Sequence, residues 1–199
     1  MKINKKYILI VMIMLLVAIF TGCQKGKAIP EETISLFFNS IKNGDIESCQ
    51  SQLMTNEQIS EKIFPNKDEK LKEIFEIAYK KLGYEIVETK IDKSGDNAEI
   101  NVDIYAPDFV EIIAQSANEA YEFTKNNDSE NGDIDKVNTS DKIMAEIMVD
   151  KINSEDMPMI KTLVTVDMIK KDESWKIEPN EDFFAAIAGG LSYIPEMFN

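Results

Sequence analysis

The 199-residue chain carries 36 acidic side chains against 22 lysines, with no arginine and no histidine, for a net charge of −14. That balance leaves no basic face to neutralise phosphates, so nucleic acid is excluded as a partner. Lacking His removes the commonest general base, metal ligand and neutral-pH switch together, and lacking Arg removes the bidentate clamp for phosphate or carboxylate.

The chain opens with Lys2, Lys5 and Lys6 and then an unbroken 14-residue apolar run over positions 7–20. Such a run fits the apolar core of a secretion signal and falls short of the roughly 20 residues a membrane-spanning helix needs. Phe20-Thr21-Gly22-Cys23 follows. This stretch resembles the lipobox of bacterial lipoproteins, with Phe20 where that family usually has Leu. The resemblance implies cleavage before Cys23 and a diacylglycerol on its sulfur, whose two chains suffice for stable anchoring. The expected organisation is a signal peptide over 1–22, a lipidated tether over 23–29 and a single domain over 30–199. The expected location is the outer face of the bacterial cytoplasmic membrane. Six residues, 24–29, reach only about 20 Å when extended, so the domain stays close to the bilayer. Residues 23–199 hold 19 lysines against 36 acids, net −17. A domain so charged is repelled by anionic head groups and is held by its tether, not by adsorption.

Taken in order, Pro30 opens a helix at a favoured position, with Ile34, Phe37, Phe38 and Ile41 on one stripe and Asn43-Gly44-Asp45 as its stop. A second helix is expected over 45–53, carrying Cys49 as a small buried hydrophobe. With Cys23 lipidated, Cys49 has no disulfide partner, and without His it has no base to activate it. Thr55 or Asn56 caps a third helix through 64; residues 68–82 form the clearest one, with Leu71, Ile74, Phe75, Ala78 and Leu82 on a face and Gly83 as its stop. Tyr79-Lys80-Lys81 reads as a solvated face. Residues 84–93 and 98–105 flank the turn Ser94-Gly95-Asp96-Asn97, a β-hairpin with Ile100, Val102 and Ile104 on its buried side. Ala106-Pro107 ends the strand. A helix over 108–125 presents Val110, Ile113, Ala117 and Tyr121, and 126–138 is an exposed loop. Thr139 or Ser140 caps a helix through 153 carrying Ile143, Met144, Ile147 and Met148. Residues 160–170 are apolar on both faces, as in a central strand; Asp172-Glu173-Ser174 turns into the short strand Trp175-Lys176-Ile177, and 181–189 forms a last helix.

Helices packed on one face of an antiparallel sheet, with a helical insertion, define an α+β domain. Pro30, Phe37-Phe38 and Asn43-Gly44-Asp45 resemble the start of domains similar to nuclear transport factor 2, also called cystatin-like. Asp172, Trp175-Lys176-Ile177, Phe183 and Gly189-Gly190-Leu191 resemble the end of small Gram-positive lipoproteins of that fold whose function is unknown. The resemblance implies a curved sheet wrapped round a long helix in a cone, with a pocket at the open end.

Three functions compete. The first is a non-catalytic module binding a membrane-proximal protein or small molecule; the apolar tail Phe183, Phe184, Ile187, Leu191, Tyr193, Ile194 and Phe198 caps its core or offers a partner surface. The second is an isomerase- or cyclase-like enzyme using a buried carboxylate, for which Asp167 is the candidate base and Tyr105, with Tyr84, the hydrogen-bond donor. The third is a cation loop, in which Asn127, Ser129, Asn131, Gly132 and Asp133 match calcium-loop positions. It lacks the acidic first ligand, and Asn138 stands where the bidentate Glu belongs. No resident metal and no cofactor are expected.

Overall fold

A computed structural model describes residues 29–55, 69–127 and 136–191. The signal, the lipobox, the helix expected over 56–64 and the tail beyond Leu191 lie outside the described residues. No helix among the described residues is long and apolar enough to cross a membrane.

Helix α1, Pro30–Asn43, begins with proline at its first turn beside Glu31 and Glu32, and buries Ile34, Phe37, Phe38 and Ile41. It ends on Gly44 at φ 68°, whose N–H and that of Asp45 donate to Ile41 O and Ser40 O. Asp45 then caps α2, Ile46–Ser51, by accepting from Ser48 N at 3.0 Å, so the expected turn between two helices is present. Helix α3, Glu69–Tyr79, buries Ile74, Phe75, Ala78 and Tyr79. Two expectations fail here. Gly83 is no helix stop; it opens the next strand, and the Tyr105 ring occupies the space beside it. The solvated face expected over Tyr79-Lys80-Lys81 holds for the exposed Lys80 and Lys81 and fails for Tyr79. Tyr79 is fully buried, and Lys81 Nζ donates to Ile152 O at 2.6 Å and Ser154 O at 3.1 Å. A lysine there satisfies terminal carbonyls of a helix, where a cation is favoured.

Strands β1, Gly83–Ile91, and β2, Asn97–Pro107, form the expected hairpin, with a bulge between Ile86 and Glu88. Its turn is held by Asp92, whose carboxylate accepts from Ser94 Oγ, Gly95 N and Asn97 Nδ2 at 2.7–2.8 Å. Those bonds, Asn97 and Ser94 foremost, hold the Asp92 carboxyl well below the usual range. Pro107 still belongs to β2, whose ladder continues through Ala106 and Pro107.

Helix α4, Phe109–Asn127, starts with Asp108 accepting from Glu111 N at 3.0 Å. It buries Phe109, Ile112, Ser116 and Ala120, leaving Val110 and Tyr121 more than half exposed. The expected stripe is therefore turned by about one residue, roughly 100° at 3.6 residues per turn. Helix α5, Lys136–Asn153, begins before Thr139 and Ser140, so neither is its cap, and the loop expected over 126–138 is shorter at both ends. Met148 and Ile152 of α5 are buried.

Strand β3, Met159–Lys171, pairs with β2 from Met159 to Ile169, and its last five residues pair with β4, Ser174–Glu178, giving an antiparallel sheet in the order β1-β2-β3-β4. The expectation of two buried faces fails. Val164, Val166 and Met168 point to the core while Leu163 is 61% exposed and Asp167 is exposed. Among the described residues only one side of this sheet carries helices, so alternation wins. The free side of β4 is covered by Leu53, which bridges Ile177, with Met54 N donating to Ile177 O and Ile177 N to Gln52 O, both at 2.8 Å.

Helix α6, Glu181–Ile187, is capped by Asn180, which accepts from Phe183 N at 2.8 Å. It buries Phe183 and Ile187, and Leu191 follows at 7% exposure, so this part of the apolar tail caps the core. Gly189, at φ 59°, sits where a Cβ would fall 1.8 Å from Pro107 O, which fixes the end of α6 against the end of β2.

The architecture is thus α+β: an open four-stranded antiparallel sheet with α1, α3 and α6 against it and the α4–α5 pair inserted between β2 and β3. Between α1, α6 and the sheet lies an aromatic cluster. Phe183 is 5.3 Å from Phe37 and 6.2 Å from Phe38, and Phe38 stacks on Tyr84 at 4.6 Å.

Candidate binding surface

The sequence-predicted catalytic pair does not assemble. Asp167 lies opposite Glu99 on β2, whereas Tyr105 lies opposite Lys161. Six strand residues separate those two register positions, about 20 Å at 3.3–3.4 Å each. Both side chains project from the face of the sheet away from the helices. Tyr84, the other proposed donor, faces the helices, and its hydroxyl donates to Ser35 Oγ at 2.9 Å.

Around Tyr105 the outer face is a charged cluster. Lys161 Nζ sits 2.7 Å from Asp103 Oδ2 and 5.3 Å from the Tyr105 ring, and the Tyr105 hydroxyl lies 3.5 Å from Glu85 Oε2. The Asp103 carboxylate, aided by Tyr105, holds the Lys161 ammonium above its ordinary value. Further along, Thr165 Oγ1 donates to Asn101 Oδ1 at 2.8 Å and Asn101 Nδ2 to Glu88 Oε2 at 3.3 Å, a polar ladder across three strands. Beyond it comes the row Lys90, Glu99, Asp167 and Glu178, one residue from each strand. These residues and the Asp92 turn line a shallow groove of about 390 Å³. Its three adjacent carboxylates set like charges opposite one another, which weakens a sheet.

Among the described residues no three of His, Cys, Asp or Glu converge as metal ligands do. Of the cation-loop residues, Asn127 ends α4 and Asn138 lies in α5, while Ser129, Asn131, Gly132 and Asp133 are outside the described residues. Cys49 is buried, and burial, with Asp45 nearby, pushes its thiol up to about 12. A thiol that hard to ionise is no nucleophile at neutral pH.

The feature that the residue-by-residue reading missed is the edge of β3. A two-residue turn, Asp172-Glu173, joins Lys171 to Ser174, so Lys171, Ile169 and Asp167 direct both backbone groups at β4. The same alternation turns the N–H and C=O of Thr165, Leu163 and Lys161 toward that side, past the end of β4 at Glu178. Among the described residues Asn180 Nδ2 reaches Thr165 O at 3.4 Å, and no backbone group pairs with Lys161 or Leu163 there. A groove of about 420 Å³ runs beside this edge, walled by Thr162, Leu163, Thr165, Asn180, Asp182, Ala185, Ala186 and Gly190. Strand counting exposes it in the sequence: a five-residue β4 after a two-residue turn cannot cover a thirteen-residue β3.

No family model matches the chain, and no curated protein matches it. Among solved structures, a candidate lipoprotein of Bacillus subtilis, YcdA, is similar at 17% identity with a TM-score of 0.43, over 85% of this chain and 48% of that one. The chain spans about half the length of that structure, and at this distance the likeness identifies neither a family nor a function.

Proposed function

We propose that this is a lipid-anchored lipoprotein of the outer face of the cytoplasmic membrane, whose domain over 30–199 works by binding through its surface and not by catalysis. The anchor reading rests on Phe20-Thr21-Gly22-Cys23, with 1–22 removed as a signal peptide and the lipid on Cys23. The binding reading rests on one observation above all: the space between α1, α6 and the sheet is filled by Phe37, Phe38 and Phe183, each fully buried. A cavity for chemistry on a small molecule has to be vacant there, and the grooves at the sheet end and the β3 edge are superficial instead. The carboxylate-enzyme alternative needs Asp167 and Tyr105 in one cavity, and about 20 Å separates them along the sheet.

The cone similar to nuclear transport factor 2 draws support from α1. Thr33 Oγ1 donates to Trp175 O on β4, and Ser35, two residues on, meets Tyr84 of β1. Those strands are the opposite edges of the sheet, which in a flat sheet lie about 14 Å apart at 4.7–4.9 Å per strand. One helical turn touching both edges is the mark of a sheet curled around its helix.

Substituting Cys23→Ser and following the protein by membrane fractionation and intact mass tests the anchor. The expected result is release or an unprocessed precursor. A Cys23→Ser protein that stays in the membrane at the wild-type mature mass, less the one-atom change, overturns it.

A further inference from the structure

We infer that the edge of β3 between Lys161 and Thr165 takes up an extended, lysine- or arginine-bearing segment of a partner protein as an added strand. This rests on the reading that the domain works by surface contact, and it names where and with what.

Three observations select that occupant. The first is hydrogen bonding. Among the described residues the edge-facing backbone groups of Lys161 and Leu163 have no protein partner, whereas the corresponding edge of β4 is covered by Gln52 to Met54. What satisfies alternating donors and acceptors over about 13 Å of strand is another extended backbone. The second is room. Beside Asp182, α6 faces this edge with Ala185 and Ala186, and Gly190 follows just past its end, residues too small to fill the groove of about 420 Å³. The third is charge. Lys161, the natural repellent of basic strands, has its ammonium drawn away to Asp103 at 2.7 Å on the far strand. Asp182 is the charged side chain left lining the groove. An incoming cation is attracted here, and an acidic segment meets the repulsion of the whole domain as well. Protected edges elsewhere sharpen the contrast. β1 is broken by its bulge, a common guard against strand addition, while β3 is regular through its uncovered half.

The test is hydrogen–deuterium exchange of the full chain in detergent micelles, read over residues 159–166, with and without the alternating peptide Lys-Val-Lys-Val-Lys-Val-Lys. Edge-facing amides of Lys161, Leu163 and Thr165 exchange rapidly alone and slow roughly tenfold or more on saturation. The matching Glu-Val peptide leaves them unchanged. Leu163→Pro removes an edge N–H without removing a β2 ladder bond, and abolishes the protection. Because that variant risks the strand, Ala185→Phe serves beside it: it fills the groove from a half-buried helix position and also abolishes protection, with far-UV circular dichroism unchanged. Equal protection by the acidic peptide, or none by the basic one, overturns the inference. So does protection without peptide that rises with protein concentration, which assigns the edge to a second copy of this chain. Protection without peptide that vanishes on deleting residues 192–199 assigns it to the chain's own end and overturns it too. None of these readouts depends on Cys23, so a failed anchor and a failed edge are told apart.

Discussion

Along β2, Ile100, Val102 and Ile104 are fully buried against helices, while one residue away Glu99, Asn101 and Asp103 stand on the outer face among lysines and other acids. The same strand thus serves two environments. Inside, rings pack at 4.6–6.2 Å and leave no room for a ligand. Outside, polar side chains meet in ladders and like-charged rows that a sheet selected only for stability does without. The difference assigns stability to the inner face; under the proposed function, recognition falls to the outer face and its edge.

The sharpest way to break that assignment is to hollow the interior. Phe183→Ala deletes a ring in contact with Phe37 and Phe38, and buried Phe→Ala changes cost about 3–5 kcal/mol. Urea denaturation is expected to show a loss of that size with an unchanged slope. A loss below about 1 kcal/mol would mean the cluster is loosely packed, and an internal ligand pocket would return to contention.

Gly189 tests the join between α6 and the inner layer. Alanine there meets Pro107 O and takes a positive φ, so a cost of about 1–3 kcal/mol is expected from backbone strain, with displacement of α6 adding to it. A Gly189→Ala protein as stable as wild type in thermal melts would show that the α6 end is not pinned to β2.

These two sites also show what a sequence discloses. The Phe37-Phe38 stripe, the Asp45 turn and the alternation of β2 were legible because each is a local pattern with one reading. The α4 face was not. Val110 and Tyr121 outrank Ser116 and Ala120 in apolar surface, yet the latter are buried. Small side chains let α4 approach its neighbour closely, and periodicity weighs size without seeing that neighbour. Ser116 Oγ ends up buried without a hydrogen-bond partner among the described residues, a cost no pattern would anticipate. Leu163 is misplaced for a related reason: an apolar run cannot say whether a second layer covers it, and here none of the described helices does. The functional candidates are less legible than the fold, because Asp167 stands out only by its place in an apolar strand and Tyr105 by its hydroxyl, while their separation is a matter of register.

Cys49 offers a milder probe of the closed interior. Its thiol is pushed from an ordinary 9.0 to about 12 when folded, so the native state holds the proton that the unfolded chain releases. Stability tied to this group is complete below about pH 9 and falls as pH rises toward 12, by up to about 1.4 kcal/mol per unit. Wild type is expected to lose stability over that window faster than Cys49→Ala, with the thiol resisting alkylation at pH 8 until urea unfolds the chain. Parallel pH profiles for the two proteins, with rapid native labelling, would place Cys49 in reach of solvent.

The smallest expected effect lies on the outer face, at Asp167. It is flanked by Glu99 on β2 and Glu178 on β4, so the sheet carries three like charges side by side at one level. Opposed like charges cost roughly 0.2–1 kcal/mol per pair in sheets, and solvent screening at this exposed site takes the lower end. Asp167→Thr should therefore stabilise the protein by a few tenths of a kcal/mol, measured as a rise in urea midpoint that shrinks as salt is added. The sign is what matters. A catalytic or buried carboxylate held by hydrogen bonds would lose stability on replacement, since its partners are left unsatisfied. A gain that salt erases instead identifies Asp167 as a mutually repelled surface charge, kept on the open face at a cost in stability.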